Sequence, residues 1–146
     1  MRGQVSEVMT ARPRAVGPDT SVAEAAQIME VEDVGSLPVI VEGTRLIGIV
    51  TDRDIAIRVV AKRLDPERTT VGQIASKDVV AVHAEDDVDD ALALMAKAQV
   101  RRIPVVSADD ELIGVIAQAD IALAAKEKEA GQVLQDISKP PSGPRL

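Results

Sequence analysis

Two aspartates, each at the start of a predicted helix, are the side chains whose types and spacing could do chemistry. Asp54 follows Thr51 by three residues, and Asp120 holds the same place in a second copy of the stretch, where Ala117 replaces the threonine. The Thr51–Asp54 spacing is that of a capping box, in which each side chain accepts a hydrogen bond from the other residue's backbone N–H. An ionised carboxylate can also accept two hydrogen bonds from the cis-diol of a ribose. Asp120 persists without a capping partner, which suggests a second role, although the first helical turn favours an acid in any case. Both interpretations stay open at this point.

Arginines form the second group of candidates. Arg101 and Arg102 precede a predicted strand in a net-acidic chain. Adjacent guanidinium groups beside a cleft are candidate partners for a phosphate, through charge-assisted hydrogen bonds. Ordinary surface charge, or pairing with another protomer, explains the two arginines equally well. Arg53 stands beside a predicted helix N-terminus, where backbone N–H groups also favour anions, and Arg12 and Arg14 are weaker candidates of the same kind.

Reactive groups of other kinds are scarce. The chain has no cysteine, and its single histidine, His83, falls in a predicted loop. The acidic residues between Glu85 and Asp90 are typical of a solvated helix N-terminus rather than of a cation site. No spacing of serine, histidine and aspartate suggests a catalytic triad or a nucleophile elbow. We therefore predict a protein that is not an enzyme and has no metal site.

Composition and charge argue against two further classes of partner. The 146 residues include no Phe, Trp or Tyr and carry a formal net charge of -7. The chain thus lacks both the stacking platforms and the positive field of a general nucleic-acid binder. The N-terminus shows no charged-then-apolar signal peptide, and no apolar run approaches the roughly 20 residues that span a bilayer. We expect no nucleic-acid or membrane partner and a cytoplasmic location.

The sequence repeats itself at an offset of 66 residues. Val5 aligns with Val71, and the gapless alignment that starts there has 15 identities in 53 positions. The identities fall on turn glycines, strand residues and helix faces in one register, as with Gly48 and Gly114. The chain therefore consists of two copies of one structural unit, and what the two copies form together is the place to look for function.

Apolar periodicity and turn signals predict the same five elements in each copy. The first copy has an extended piece at 14–16, a helix that begins with a capping box between Ser21 and Glu24 and extends to Gly35, a hairpin of strands 37–41 and 46–50, and a helix from Asp52 to Arg63. The apolar stripe of the first helix consists of Val22, Ala25, Ala26 and Met29. The second copy has an extended piece at 79–82, a helix at 87–98 with Val88, Ala91, Leu92 and Met95 on its stripe, strands at 103–106 and 112–116, and a helix from Gln118.

The predicted fold is α+β, with two tandem β-α-β-β-α units packed as a pseudo-twofold sandwich. Three short strands and two amphipathic helices cannot bury both faces alone, whereas two such units can bury them against each other. We expect a first unit at 1–64, a second at 65–125, and a C-terminal extension at 126–146. In that extension, Val133, Leu134 and Ile137 could dock as a last helical turn or two, and Ser138 to Leu146 is predicted to be disordered.

These residues resemble a known family. The tandem unit and the run Gly48-Ile49-Val50-Thr51 before Asp54 are similar to the CBS domain pair, or Bateman module. The segments that match the family before its second strand are Val34-Gly35-Ser36-Leu37-Pro38-Val39 and Val100-Arg101-Arg102-Ile103-Pro104-Val105. The resemblance covers about residues 5–125, and its nearest form is the small stand-alone pair of the hypoxic-response type. Some such relatives carry cysteine or histidine metal sites, which this sequence does not match.

The resemblance implies a ligand and places the candidate residues around it. Family members commonly bind AMP, ADP, ATP or S-adenosylmethionine in the cleft between the two units. Thr51 and Asp54 would then belong to one site and Asp120 to the other, each aspartate holding ribose hydroxyls. The segments near Thr10 to Val16 and Ser76 to Val82 would frame the adenine, and Pro38 and Pro104 of the matching segments are further candidate binding residues. Because Ala117 lacks the threonine hydroxyl, we expect the cleft of Asp54 to bind more tightly, unless Arg101 and Arg102 compensate by reaching phosphate.

The implied function is that of a regulatory module, which binds an adenine nucleotide and signals to an unknown protein partner. The alternative is a structural or protein-interaction dimer with no ligand. Paired modules of this family usually associate into a flat twofold disc. We expect a homodimer, because the stripes around Val22 and Val88 belong to helices that so small a sandwich cannot fully cover.

Overall fold

Two antiparallel hairpins, one from each repeat, form the centre of the molecule. The structure is a computed structural model that describes residues 3–138, with side chains as far as residue 130. The first hairpin consists of β2 and β3, and the second consists of β5 and β6 within a sheet of order β1-β6-β5-β4. The strands are β1 (Thr10–Ala11), β2 (Ser36–Val41), β3 (Arg45–Thr51), β4 (Val82–His83), β5 (Arg102–Val106) and β6 (Leu112–Ala117).

Helices cover these strands and connect the repeats. They are α1 (Val5–Val8), α2 (Val22–Glu32), α3 (Asp52–Ile55), α4 (Val71–Ile74), α5 (Val88–Ala98) and α6 (Gln118–Ser138). A π-helical turn, Ala56–Val60, continues directly from α3. The predicted order of elements is therefore confirmed in both repeats, and the predicted α+β fold of two CBS-like units is confirmed with it.

Each repeat contributes its first segment to the sheet of the other. Thr10, before the first unit's helix, pairs with Val115 of β6 in the second unit. The equivalent residue Ser76 pairs with Ile49 of β3 through two N–H···O=C bonds of 2.9 Å each. Val16 and Val82 then return as parallel partners of β2 and β5, respectively. This reciprocal exchange gives the molecule its pseudo-twofold symmetry, and it brings residues of both units to each cleft.

The hydrophobic core is divided into two aliphatic clusters that follow the same exchange. The first cluster contains Val22, Ala25 and Met29 of α2 but also Val71 of α4, from beyond the linker. The second cluster contains the equivalent residues of α5 and also Val5 of α1, from the start of the chain. Burial of these helix stripes inside the chain's own cores removes the reason given for predicting a homodimer from them.

Four local expectations are corrected by the structure. The first helix ends at Glu32, with Asp33 in the left-handed region (φ 55°), rather than near Gly35. Among the described residues, its capping box is half formed: Glu24 N–H donates to Ser21 Oγ at 3.1 Å, while the Glu24 side chain is not used as a return acceptor. Ala26 is exposed, which narrows the predicted stripe. The helix predicted from Asp52 to Arg63 is α-helical only as far as Ile55.

The C-terminal predictions are tested only in part. α6 continues as far as Ser138, so the extension is helical over the part of it that the structure describes. The docking of Val133, Leu134 and Ile137 falls on side chains outside the described set. Ser138, predicted as the first disordered residue, instead ends α6, and the rest of that prediction, at 139–146, lies outside the described set.

Candidate functional site

Thr51 and Asp54 form the reciprocal capping box that their spacing predicts. Thr51 N–H donates to Asp54 Oδ2 at 2.9 Å, and Asp54 N–H donates to Thr51 Oγ1 at 3.0 Å. Strand β3 ends at Thr51, and the box converts the chain to helix there, since both side chains take up otherwise unsatisfied backbone donors. The structural interpretation of this pair is confirmed, and a ligand role for Asp54 stays a prediction.

Asp54 has a further neighbour in Arg58, one turn along the helix. Arg58 Nε lies 3.9 Å from Asp54 Oδ1. The same guanidinium donates through Nη1 to the backbone carbonyl of Ile74, at 3.0 Å. Arg58 therefore connects Asp54 to the end of α4, two residues before the segment of Ser76 that lies beside β3.

Asp120 stands in the equivalent place at the start of α6 but in a different environment. Its carboxylate is half-buried and makes no hydrogen bond or ion pair with any residue that the structure describes. Ala117, at the end of β6, is buried and offers no hydroxyl. A half-buried carboxylate with unused acceptor capacity is available for an external donor.

Asp120 lines a cleft of about 220 Å³ between the two units. Pro38 and Arg14 come to this cleft from the first unit, and Arg102 and Pro104 come from the second. The remaining walls are Thr10, Pro13, Glu32, Val34, Ser36, Leu37 and Val115. Predicted residues that the structure brings together here are thus Asp120, Arg102, Pro38 and Pro104.

Two charged groups of the cleft, Arg14 and Glu32, are specific to this side of the pseudo-twofold axis. At the offset of 66 residues, Arg14 corresponds to Val80 and Glu32 to Ala98. Arg102 corresponds to Ser36, which lines the same cleft, so this pair does not distinguish the two sides. The loss of one hydroxyl at Ala117 is thus accompanied by a gain of one guanidinium group, that of Arg14.

Several predicted site residues lie elsewhere. Val16 and Val82 are buried in the two cores, where they pair with β2 and β5, because the exchanged segments turn these side chains inward. Arg12 is exposed just after β1, at a φ of 52°, and Arg53 and Arg101 are exposed as well. None of these five residues, nor Thr51 and Asp54, lines the cleft of Asp120.

Sequence patterns did not indicate every residue of the cleft. Among its polar side chains, Glu32 and Ser36 are not among the predicted site residues, and Arg14 is only a weak candidate. The usable signal was the repeat: a position at which the two copies differ in charge marks a place where the two clefts differ. Arg14 against Val80 and Glu32 against Ala98 are such positions.

A second cavity, of about 360 Å³, contains none of the predicted site residues. It lies between α1, α5 and α6, and its walls include Val8, Val88, Ile121 and Ala124, with Lys128 and Glu129 also among them. Its mainly aliphatic lining offers little to a polar ligand, so we assign the candidate site to the cleft of Asp120 despite the smaller volume of that cleft.

Two further features are absent from the described residues. Within them, no group of three or more His, Cys, Asp or Glu side chains is placed to hold a metal ion. Of the helices in that part of the chain, none combines the length and the apolar character needed to cross a membrane.

Comparison with known proteins gives close relatives of similar length. Hypoxic response protein 1 of Mycobacterium tuberculosis is 37% identical over 134 residues, which cover 92% of this chain and 93% of that protein. A crystal structure of hypoxic response protein I, with two coordinated zinc ions, is 38% identical with a TM-score of 0.76, over 82% of this chain and 97% of that one.

Two other solved structures contain adenosine compounds. CBSX2 in complex with AMP has a TM-score of 0.77 at 29% identity, over 87% of this chain and 98% of that chain. The CBS domain pair of protein MJ0100, in complex with 5'-methylthioadenosine and S-adenosyl-L-methionine, has a TM-score of 0.73 at 26% identity, over 86% of this chain and 97% of that chain.

The CBS domain family itself matches the chain twice, over residues 5–61 and 71–127. These two matches coincide with the two copies found at the offset of 66 residues, and each contains one of the two aspartates. The chain therefore belongs to the CBS domain family, as a tandem pair of CBS domains.

Proposed function

We propose that this CBS pair is a cytoplasmic regulatory module, not an enzyme, that binds an adenine nucleotide (AMP, ADP or ATP) between its two units. The observation that carries the proposal is the half-buried carboxylate of Asp120, which has no partner among the described residues, in a cleft that also contains Arg14 and Arg102. A carboxylate that can accept two hydrogen bonds suits a ribose, and guanidinium groups suit a phosphate.

The cleft matches the parts of a nucleotide in a simple way. Asp120 would accept hydrogen bonds from the 2'- and 3'-hydroxyls, and Arg14 and Arg102 would bind phosphate oxygens. Pro38 and Pro104 are buried prolines that would provide apolar contact for the base. Glu32 adds a negative charge, so the two arginines and the two carboxylates of the cleft sum to zero. A cleft without net charge favours a nucleotide with few phosphates.

The comparisons support the ligand class. CBSX2 was solved with AMP, and the MJ0100 domain pair was solved with two other adenosine compounds. Both share the fold of this chain along most of its length. For this chain, we propose the same class of ligand, bound by the residues of the Asp120 cleft and, in a second site, by Asp54.

Regulation would follow from the position of the cleft. Arg14 and Pro38 belong to the first unit at 1–64, and Arg102 and Asp120 belong to the second at 65–125, so a bound nucleotide would favour one relative placement of the units. A ligand that binds one arrangement better shifts the population toward it. We propose that an unidentified protein reads this shift, and that the chain acts as a homodimer.

A thermal-shift panel tests the proposal directly. AMP, ADP, ATP, NADH and S-adenosylmethionine are each added at millimolar concentration to the wild-type protein and to Asp120→Asn. A ligand at 100 times its dissociation constant stabilises the native state by about 2.7 kcal/mol, which gives a shift of several degrees. We expect a shift with at least one nucleotide in wild type and a smaller one in Asp120→Asn. No shift with any compound would favour the alternative, a structural or interaction dimer without a ligand.

A further inference from the structure

We propose that Arg58 makes the two nucleotide sites unequal, because it engages Asp54 and leaves Asp120 as the aspartate that binds the first nucleotide. The inference rests on the proposed function and concerns the order in which the two sites fill. It assigns Arg58 a positioning role: the residue acts on the ligand through Asp54.

Both oxygens of the Asp54 carboxylate have partners. One oxygen, Oδ2, accepts the N–H of Thr51 at 2.9 Å. The other, Oδ1, faces Arg58 Nε at 3.9 Å, and the Asp54 side chain is only 16% exposed. A ribose that approaches this carboxylate must therefore share Oδ1 with a guanidinium, whereas a ribose at Asp120 meets no competitor among the described residues.

The guanidinium of Arg58 also contacts the backbone at the end of α4. Arg58 Nη1 donates to Ile74 O at 3.0 Å, at the C-terminus of α4. The chain then continues to Ser76, which pairs with Ile49 of β3. Arg58 thus fixes Asp54 relative to the Ser76 segment beside β3. Movement of that segment to admit a ligand would break the hydrogen bond from Arg58 to Ile74 O.

The second repeat has no counterpart of the Arg58 side chain. The counterpart of Arg58 in the second repeat is Ala124, and the counterpart of Ile74 is Val8. Both Ala124 and Val8 line the cavity of about 360 Å³ beside α6. The volume that Arg58 occupies in the first repeat therefore corresponds to open space in the second, and position 124 provides no guanidinium to pair with Asp120 along the helix.

The helix geometry around Arg58 also differs between the two repeats. Arg58 lies in the π-helical turn Ala56–Val60, where Ala61 N–H donates to Ala56 O at 2.9 Å. A π-turn adds a residue to one turn and changes the direction of the side chains that follow, and such turns are frequent at functional sites. The second repeat instead continues as the regular helix α6 through Ala124.

This inference reverses the order expected from the missing hydroxyl at Ala117. In the structure, Thr51 Oγ1 already accepts the N–H of Asp54, and the carboxylate of Asp54 is engaged on both oxygens. The second repeat lacks the hydroxyl, but its carboxylate is unoccupied and Arg14 and Arg102 lie in its cleft. The free carboxylate and the two guanidinium groups outweigh the loss of one neutral hydrogen bond.

Calorimetry with AMP on wild type and on Arg58→Met tests the proposal. Methionine keeps the length and apolar contact of the side chain and removes the guanidinium. We expect two binding events in wild type, and in Arg58→Met a weaker event that tightens about two- to fivefold, the range of a partly exposed ion pair. Lys62→Met is the matched control, because it removes an exposed charge one turn further on, and should leave both events unchanged.

The reciprocal substitution covers the case in which Arg58→Met folds poorly. Ala124→Arg places an arginine where the second repeat has space for it, and should weaken the tighter event about two- to fivefold by reaching Asp120. Ala124→Met controls for bulk and should have no such effect.

The outcomes separate this inference from the function on which it rests. If wild type binds AMP, but Asp54→Asn rather than Asp120→Asn eliminates the tighter event, the inference is wrong and the function stands. It is equally wrong if Arg58→Met matches Lys62→Met, or if Ala124→Arg matches Ala124→Met. If wild type binds neither AMP nor another nucleotide of the thermal-shift panel, the proposed function itself is wrong.

Discussion

Asp120 and Arg14 come from opposite repeats and line the same cleft. They meet because Thr10, a few residues before Arg14, pairs with Val115 of β6, whose strand leads directly to Asp120. The pairing of an N-terminal segment with the distant hairpin thus builds a site that neither repeat contains alone. We therefore expect ligand binding at this site to be coupled to the relative placement of the repeats.

Substitution of Asp120 by asparagine should remove most nucleotide binding at the cleft. Asparagine keeps the size of the side chain but replaces one acceptor oxygen with a donor and removes the charge. Hydrogen bonds to a charged group contribute about 1.5–3 kcal/mol, so we expect AMP to bind about ten- to a hundredfold more weakly, by calorimetry. Asp109→Asn, at an exposed turn, is the control. Unchanged affinity in Asp120→Asn would show that the ribose is bound elsewhere.

Arg14 should distinguish a nucleotide from a nucleoside. Arg14→Met removes a guanidinium from the cleft and leaves an apolar side chain of similar reach. Because Arg14 is exposed, we expect a loss of about 1 kcal/mol in the binding of AMP, which is roughly fivefold, and little change for adenosine. Lys97→Met, on α5, controls for net charge. Equal losses for AMP and adenosine would mean that Arg14 supports the fold of the cleft rather than a phosphate.

The sequence predicted the repeat, the element order and the fold, because each depends on local patterns that occur twice in one register. Gly48 and Gly114, the hairpin strands and the stripe of Met29 and Met95 are of this kind. The exchange of Thr10 and Ser76 between sheets could not be read from such patterns, because it depends on pairing between segments far apart in the chain.

Part of the candidate site could also be predicted from the sequence. Asp120, Arg102, Pro38 and Pro104 meet as the family resemblance implies, whereas Val16 and Val82 turn inward as core residues. Arg58 and Asp54 are four residues apart, a spacing from which a helical ion pair can be predicted, but the proposed role of Arg58 also depends on its contact with Ile74, in the next repeat. No spacing along the sequence contains that contact.

The capping box should make the two helix starts differ in stability. Thr51→Ala leaves the N–H of Asp54 without its acceptor, and loss of such a cap costs about 0.5–2 kcal/mol of the free energy of unfolding. The reverse change, Ala117→Thr, offers a hydroxyl to Asp120 N–H and should be neutral or stabilising. Denaturant unfolding of both variants measures the difference. A Thr51→Ala protein as stable as wild type would show that the box contributes nothing.

The assembly prediction now depends on residues other than the helix stripes. Ile57, Val60 and Leu64 are apolar and 48%, 68% and 49% exposed, and they lie in the π-helical turn and at the end of the turn that follows it. We expect a homodimer that buries this surface, and Val60→Asp should shift the mass from dimer to monomer in light scattering, because an unpaired charge cannot be buried there cheaply. Asp at the exposed Val31, on α2, is the control. A monomeric wild type at micromolar concentration would contradict the expectation.

The close approach of the two repeats at Gly48 gives the last prediction. A Cβ at this position would lie 2.8 Å from the carbonyl oxygen of Ser76, which is backbone and accepts the N–H of Ile49. Gly48→Ala must therefore separate β3 from the Ser76 segment, at a cost of about 1–3 kcal/mol, and chemical denaturation should show that loss. Gly17→Ala is the matched control, because its Cβ would meet only Ile40 O, at 4.0 Å. Equal stabilities of the two variants would show that the Ser76 segment can move away from β3 at little cost. The two hydrogen bonds between Ser76 and Ile49 would then contribute little to holding the repeats together.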